Sequence, residues 1–330
     1  MDFAFFLESV ALPIVSAFGL LGNILSIIVL FLRKSSLSRH SNFTSLLIFL
    51  AIVDSLFLLL LNLLYVWPHK NSYLLLATPY LFPLVHMSMS CSVYTVVAIT
   101  VERYATIRQY RSQLFTARYL IIFIITFSIC FNFIKFFELY IERSKQEFTF
   151  VRSDDSELPE EKWNIEVKPT WLRTDTVYSL VYIVSLNFIF MSFIPFVALS
   201  ILNFSIFKSY RRMSQNYSDT TMAGFLFSIV IIFLCCHSIR FGLNVYEGSQ
   251  MVYYGTILKW NWLCDLLVKC SQLLLAINSS VNIIIYTAKD IKFRQSLFLI
   301  MRCRRGQSAA ATTNMDNMTT VVTKDGIISE

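Results

Sequence analysis

The chain has 330 residues, of which 56% are hydrophobic and 15% charged, with a formal net charge of +7 at neutral pH. That balance excludes an ordinary soluble domain and points to a membrane protein. Because the basic residues lie in strips beside apolar runs, the charge reads as membrane topology and excludes a nucleic-acid surface.

A bilayer crossing needs roughly 20 residues of helix. Seven such runs follow in order, at about 10–32, 43–66, 74–101, 119–137, 177–207, 222–245 and 262–286. No Lys or Arg precedes Arg33, so the first run reads as a retained span and not as a cleaved signal peptide. Basic residues cluster after odd spans and before even ones, as with Arg33, Lys34, Arg108, Arg118, Lys208 and Arg211. The positive-inside rule then puts the amino terminus outside the cell and the carboxyl tail inside. The expected layout is an extracellular 1–9, a seven-transmembrane helix bundle with a short amphipathic surface helix over 10–300, and a cytoplasmic, disordered tail over 301–330. The expected place is the plasma membrane.

Between spans four and five, Glu138 to Asp175 is rich in acids. There "QEFTFV" and "KWNIEV" flank an acidic turn with Pro159, which suits either a β-hairpin or a solvated linker. After span seven, "KDIKFRQSLFLIMRCRR" mixes apolar and basic residues as a helix lying on the inner membrane surface would. Cys303, between two arginines, is either a palmitoylation site or a free thiol. The cysteines form no Cys-x-x-Cys pattern and no disulfide scaffold is expected.

An ionisable group near the bilayer centre costs about 2.5–3.5 kcal/mol, so each needs a partner or a task. Asp54 in "LAIVDSLFLLL" is the clearest, with Asn23, Ser92, Asn278 and Asn282 at comparable depth. Asn278 and Asn282 are four apart and fall on one helix face. Asp54, Ser92, Asn278 and Asn282 can surround one sodium ion or can knit the bundle by hydrogen bonds, and both readings stay open.

This constellation resembles the rhodopsin-like G-protein-coupled receptors from about Gly22 to Phe298. The motifs are "GN" in span one, "LAxxD" in span two, "ERY" closing span three, Pro195 in span five, and "NxxxY" from Asn282 to Tyr286, then Phe293 opening the surface helix. The resemblance implies that Glu102 holds Arg103 at rest and that Arg103 swings to meet a heterotrimeric G protein, with Tyr104, Tyr286 and Asp219 in the same switch. It also implies arrestin as a partner of the Ser/Thr-bearing tail.

Several family features are absent. Thr78 stands at the usual cysteine of span three, His237 at the toggle tryptophan of span six, Ile239 at its proline, Asn203 at an inward tyrosine, and Ile283 after Asn282 where a proline is usual. "FLCCHSIRFGLNVYE" and "INSSVNIIIY" look like the FMRFamide-receptor-like neuropeptide receptors. The expected ligand is an extracellular peptide, in a pocket lined by His86, Arg240, Asn244 and Glu247. No catalytic chemistry is expected, and no cofactor beyond the sodium ion. The competing class is an ion channel or transporter using Asp54.

Overall fold

In a bilayer the backbone has no hydrogen-bond partner but itself, so each long apolar run must close its own helical bonds. A computed structural model describes residues 3–36, 42–66, 72–108, 116–145, 163–213, 236–250, 252–254, 262–289 and 293–298. Among these, six helices are long and apolar enough to cross a membrane. They are built on α1 (Leu12–Ser36), α2 (Asn42–Tyr65), α3 (Ser72–Ile107), α4 (Ala117–Asn132), α5 (Ile194–Met213) and α7 (Trp262–Ser280). The described part of the sixth apolar run, α6 (236–250), is helical as well. The protein is an all-α, multi-pass membrane bundle.

Some boundaries differ from the sequence reading. Helix begins at Phe3 and runs through a π-turn, Leu7–Ala11, into α1, so the segment assigned to an extracellular terminus extends the first span. Its Glu8 is buried and pairs with Lys269 of α7 at 3.2 Å, which gives this early turn a partner. The fifth span is π-wound over Ser179–Leu186 and Phe188–Phe193 before α5. Wide turns misalign backbone groups, and Tyr94 of α3 donates a hydrogen bond to the Phe190 carbonyl at 2.7 Å there. Span seven passes through a turn at Val281 and continues as α8 (Asn282–Lys289), with the Val281 N–H donating to the Ile277 carbonyl at 2.9 Å and the Ile285 N–H to the Val281 carbonyl at 3.1 Å.

The segment between spans four and five contains an antiparallel pair, β1 (Leu139–Lys145) and β2 (Trp163–Pro169). "KWNIEV" supplies most of β2, while its partner precedes "QEFTFV", which lies outside the described residues. The register sets Glu142 opposite Glu166, and like charges so placed repel. Lys168 pairs with both, and its hydrogen bond to Glu142 lifts its ammonium above the ordinary lysine range. Thr170 ties the pair to α4: its hydroxyl donates to the Phe137 carbonyl at 2.6 Å and its N–H to that of Glu138 at 2.9 Å. The five described cysteines form no disulfide, so these polar contacts fasten the hairpin.

α3 is the hub, touching α2, α4 and α5, while α7 closes against α1 and α2. Of four apolar clusters among the described residues, two large ones fill the bundle. One, with Phe57, Leu58, Leu61, Val85 and Leu275, lies toward the hairpin. The other, with Leu46, Leu50, Ile99, Ile206 and Tyr286, lies toward the opposite, basic end. Large apolar side chains such as Ile14, Phe18, Leu21 and Phe123 face outward, as they must where the surroundings are hydrocarbon.

Candidate functional site

At the hairpin end a cavity of about 170 Å³ opens between α2, α3, α6, α7, the turn that follows α4 and the π-wound part of the fifth span. His86, Arg240, Asn244 and Glu247 all line it, together with Lys135 and Arg173. α3 delivers His86 just after Pro79 and Pro83, which deprive the Leu75 and Pro79 carbonyls of their helical donors. α6 delivers the other three, spaced by four and three residues along one face. Gly248 lets that helix approach the π-wound wall, since a Cβ there would come within 2.5 Å of Val184 Cγ2.

Charge in this cavity is organised by two acids. Glu138, fully buried, accepts from the Tyr178 hydroxyl at 2.6 Å and pairs with Lys135 at 3.6 Å and Arg173 at 3.2 Å. Arg173 spans to Glu247 through its other terminal nitrogen at 2.6 Å. One guanidinium thus joins the foot of β1 to α6. Buried charges are tolerable only when paired in this way, because their hydration is lost. Lys135, Glu138 and Arg173 were not among the sequence-derived site residues. The i,i+3 pair within "KFFE" was the available signal; Arg173, 35 positions from Glu138, gave none.

A polar layer separates the two apolar clusters. Asp54, fully buried, accepts from Ser92 at 2.6 Å and Ser279 at 3.0 Å on one oxygen, and from Asn282 at 2.7 Å on the other. Asn278 makes none of these bonds; Ser279 does. Asn23 donates to the Ser279 carbonyl at 3.1 Å, while its amide oxygen is buried without a hydrogen-bond partner. Carboxylate, hydroxyl and amide oxygens are the donor set of a hard cation, so the residues present fit a sodium ion.

At the basic end, the Arg103 guanidinium lies flat over the Phe43 ring at 3.3 Å. The Asn42 side chain hydrogen-bonds Glu102, and its amide oxygen accepts from the Ala117 N–H at 3.2 Å, so one residue joins α2, α3 and α4 beside the acid–base pair. Tyr104 packs against the basic-end cluster and Arg108 lies 5.7 Å from its ring. Tyr286 is buried 5.6 Å from Phe293, which seats the helical turn at 293–298 against α8. Asp219 and Cys303 lie outside the described residues.

These two ends and the layer between them carry the residues by which known proteins can be compared. No protein-family model matches the chain. It is 27% identical over 329 residues to the FMRFamide receptor of Drosophila melanogaster, covering 91% of this chain and 55% of that one. It is 28% identical over 321 residues to an FMRFamide peptide receptor of Caenorhabditis elegans, frpr-18, covering 90% and 69%. A probable G-protein coupled receptor of the same nematode, frpr-1, is 29% identical over 154 residues, 47% of this chain and 38% of its own. The chain resembles FMRFamide receptors. It spans about half the length of the Drosophila receptor. The likeness to the first two receptors covers nine-tenths of this chain and so takes in the bundle from cavity to basic end.

A second cavity, about 310 Å³, lies where α6 meets the fifth span and is lined by Phe188, Phe193, Phe196, Phe241 and His237. It places His237 among aromatic rings.

Proposed function

We propose that this chain is a G-protein-coupled receptor of the plasma membrane, amino terminus outside, for an extracellular neuropeptide of the FMRFamide class. The reading is carried by one observation: a polar, half-enclosed cavity at one end of the bundle and an acid–base pair at the other are borne by the same helix, α3, in a chain similar to FMRFamide receptors over nine-tenths of its length. Peptide in the cavity favours the bundle with its basic end open, and the G protein favours the same state. Arg103 is the group that leaves its resting contacts to meet the G protein, with Glu102, Tyr104, Tyr286 and Asp219 assigned to the same switch. Arrestin engagement through the tail and lipidation at Cys303 belong to the same reading.

A sodium ion held by Asp54, Ser92, Ser279 and Asn282 would favour the closed bundle. An ion path is not favoured, because the proteins to which nine-tenths of this chain is similar are receptors. Nor does this reading give the chain any catalytic step.

The deciding experiment is nucleotide exchange on heterotrimeric G protein in cells expressing the chain and challenged with FMRFamide. Glu247→Gln is expected to weaken the response at constant surface level, because it frees Arg173 to move within the cavity. An unchanged dose response removes Glu247 from the site.

A further inference from the structure

The cavity's charges do not cancel. Lys135, Arg173 and Arg240 line the cavity as three cations and Glu247 as a carboxylate, with a second carboxylate, Glu138, buried behind Lys135 and Arg173. Both carboxylates are already engaged: Glu138 by Lys135, Arg173 and Tyr178, and Glu247 by Arg173. Among the described residues no acid pairs with Arg240. Its contact is with His86 Nε2 at 3.5 Å, the outer limit of a hydrogen bond, and a guanidinium carries five N–H donors. His86 stands within electrostatic reach of all three cations. With one ring nitrogen toward Arg240 it must accept there, leaving its other nitrogen to donate.

A cationic ligand group entering this wall would meet three like charges and would have to displace Arg173 from a 2.6 Å ion pair to reach Glu247. An oxygen acceptor meets no such barrier. Resting on the receptor reading above, we infer that the cavity holds its ligand through a planar oxygen acceptor, a carboxylate or a carboxamide, seated on Arg240 beside His86. Arg173 and Glu247 are then positioning residues that keep the acids occupied, so that Arg240 is the charge left for the ligand. The fork of a guanidinium can reach both oxygens of a carboxylate or share its N–H groups on the one oxygen of a carboxamide, whereas an ammonium in its place would offer a point charge without the fork.

The test uses three probes of one shape on the full-length protein in detergent: benzoate, benzamide and benzylammonium. Thermal unfolding is followed with each at millimolar concentration. Benzoate or benzamide is expected to raise the Tm of the wild type, with benzylammonium giving no rise. Arg240→Gln should lower the affinity for the effective acceptor by at least about tenfold, the scale of one charge-assisted hydrogen bond. Arg240→Lys should retain part of it. A rise with benzoate alone assigns a carboxylate, and one with benzamide, alone or as well, assigns a carboxamide.

The inference fails if benzylammonium stabilises best, if neither acceptor stabilises, or if an acceptor stabilises wild type and Arg240→Gln equally. The comparison of probes on the wild type decides the matter even where a variant does not fold. No G protein takes part, so the expected pattern together with absent FMRFamide-stimulated exchange would sink the receptor reading and leave the site standing.

Discussion

Glu138 shows how much one side chain can hold. It is fully buried, yet it anchors Lys135, Arg173 and Tyr178 together. Glu138→Gln removes the negative charge while leaving two cations in low dielectric, a change that typically costs about 3–5 kcal/mol. Thermal unfolding in detergent should show that loss, and Lys135→Met in the same chain should recover part of it by removing one stranded charge. Asp54 makes the complementary case in the polar layer. Its three donors at 2.6–3.0 Å suit a carboxylate, whereas an amide would turn a donor toward one of them. Asp54→Asn should therefore cost about 1–3 kcal/mol. With sodium bound there, replacing sodium by potassium should lower the Tm of the wild type and leave that of Asp54→Asn unchanged.

At the scale of elements, the contact of α1 with the end of span seven depends on a missing side chain. A Cβ on Gly22 would lie 2.7 Å from Ile283 Cγ2 and 3.3 Å from Ile283 Cβ. Gly22→Val should cost about 1–3 kcal/mol by overpacking, and Ile283→Ala should restore much of it. Measuring unfolding of both singles and the double variant checks the coupling. Spans were legible in the sequence because hydrocarbon thickness dictates their length, and β2 because "KWNIEV" is aromatic and β-branched. Asn278 illustrates what was not. It lies four residues before Asn282, yet Asp54 is met by Ser279 and Asn282, three apart on the same span, and helical periodicity alone does not choose between two adjacent positions for one such contact. Arg173 escaped for a different reason, since an ion pair between residues 35 and 74 positions away leaves no local pattern.

For the whole molecule the question is how the two ends communicate. α3 carries His86 in the cavity wall, Ser92 on Asp54 and Arg103 at the basic end, and at 1.5 Å per residue His86 and Arg103 stand roughly 25 Å apart. No ligand contact reaches that far, so the proposed receptor function requires a rearrangement that both ends bias. Linkage then imposes equality: the factor by which peptide tightens G-protein binding is the factor by which G protein tightens peptide binding, commonly 5–150-fold. On the proposed reading, Arg103→Gln keeps the cavity intact but removes the guanidinium that distinguishes the open basic end. Peptide should bind this variant as it binds wild type without G protein, and adding G protein should change that affinity little. Radioligand binding to reconstituted membranes, with and without nucleotide-free G protein, measures both factors. An Arg103→Gln variant that kept the full G-protein-dependent gain would place the coupling in other residues of the basic end and remove Arg103 from the switch.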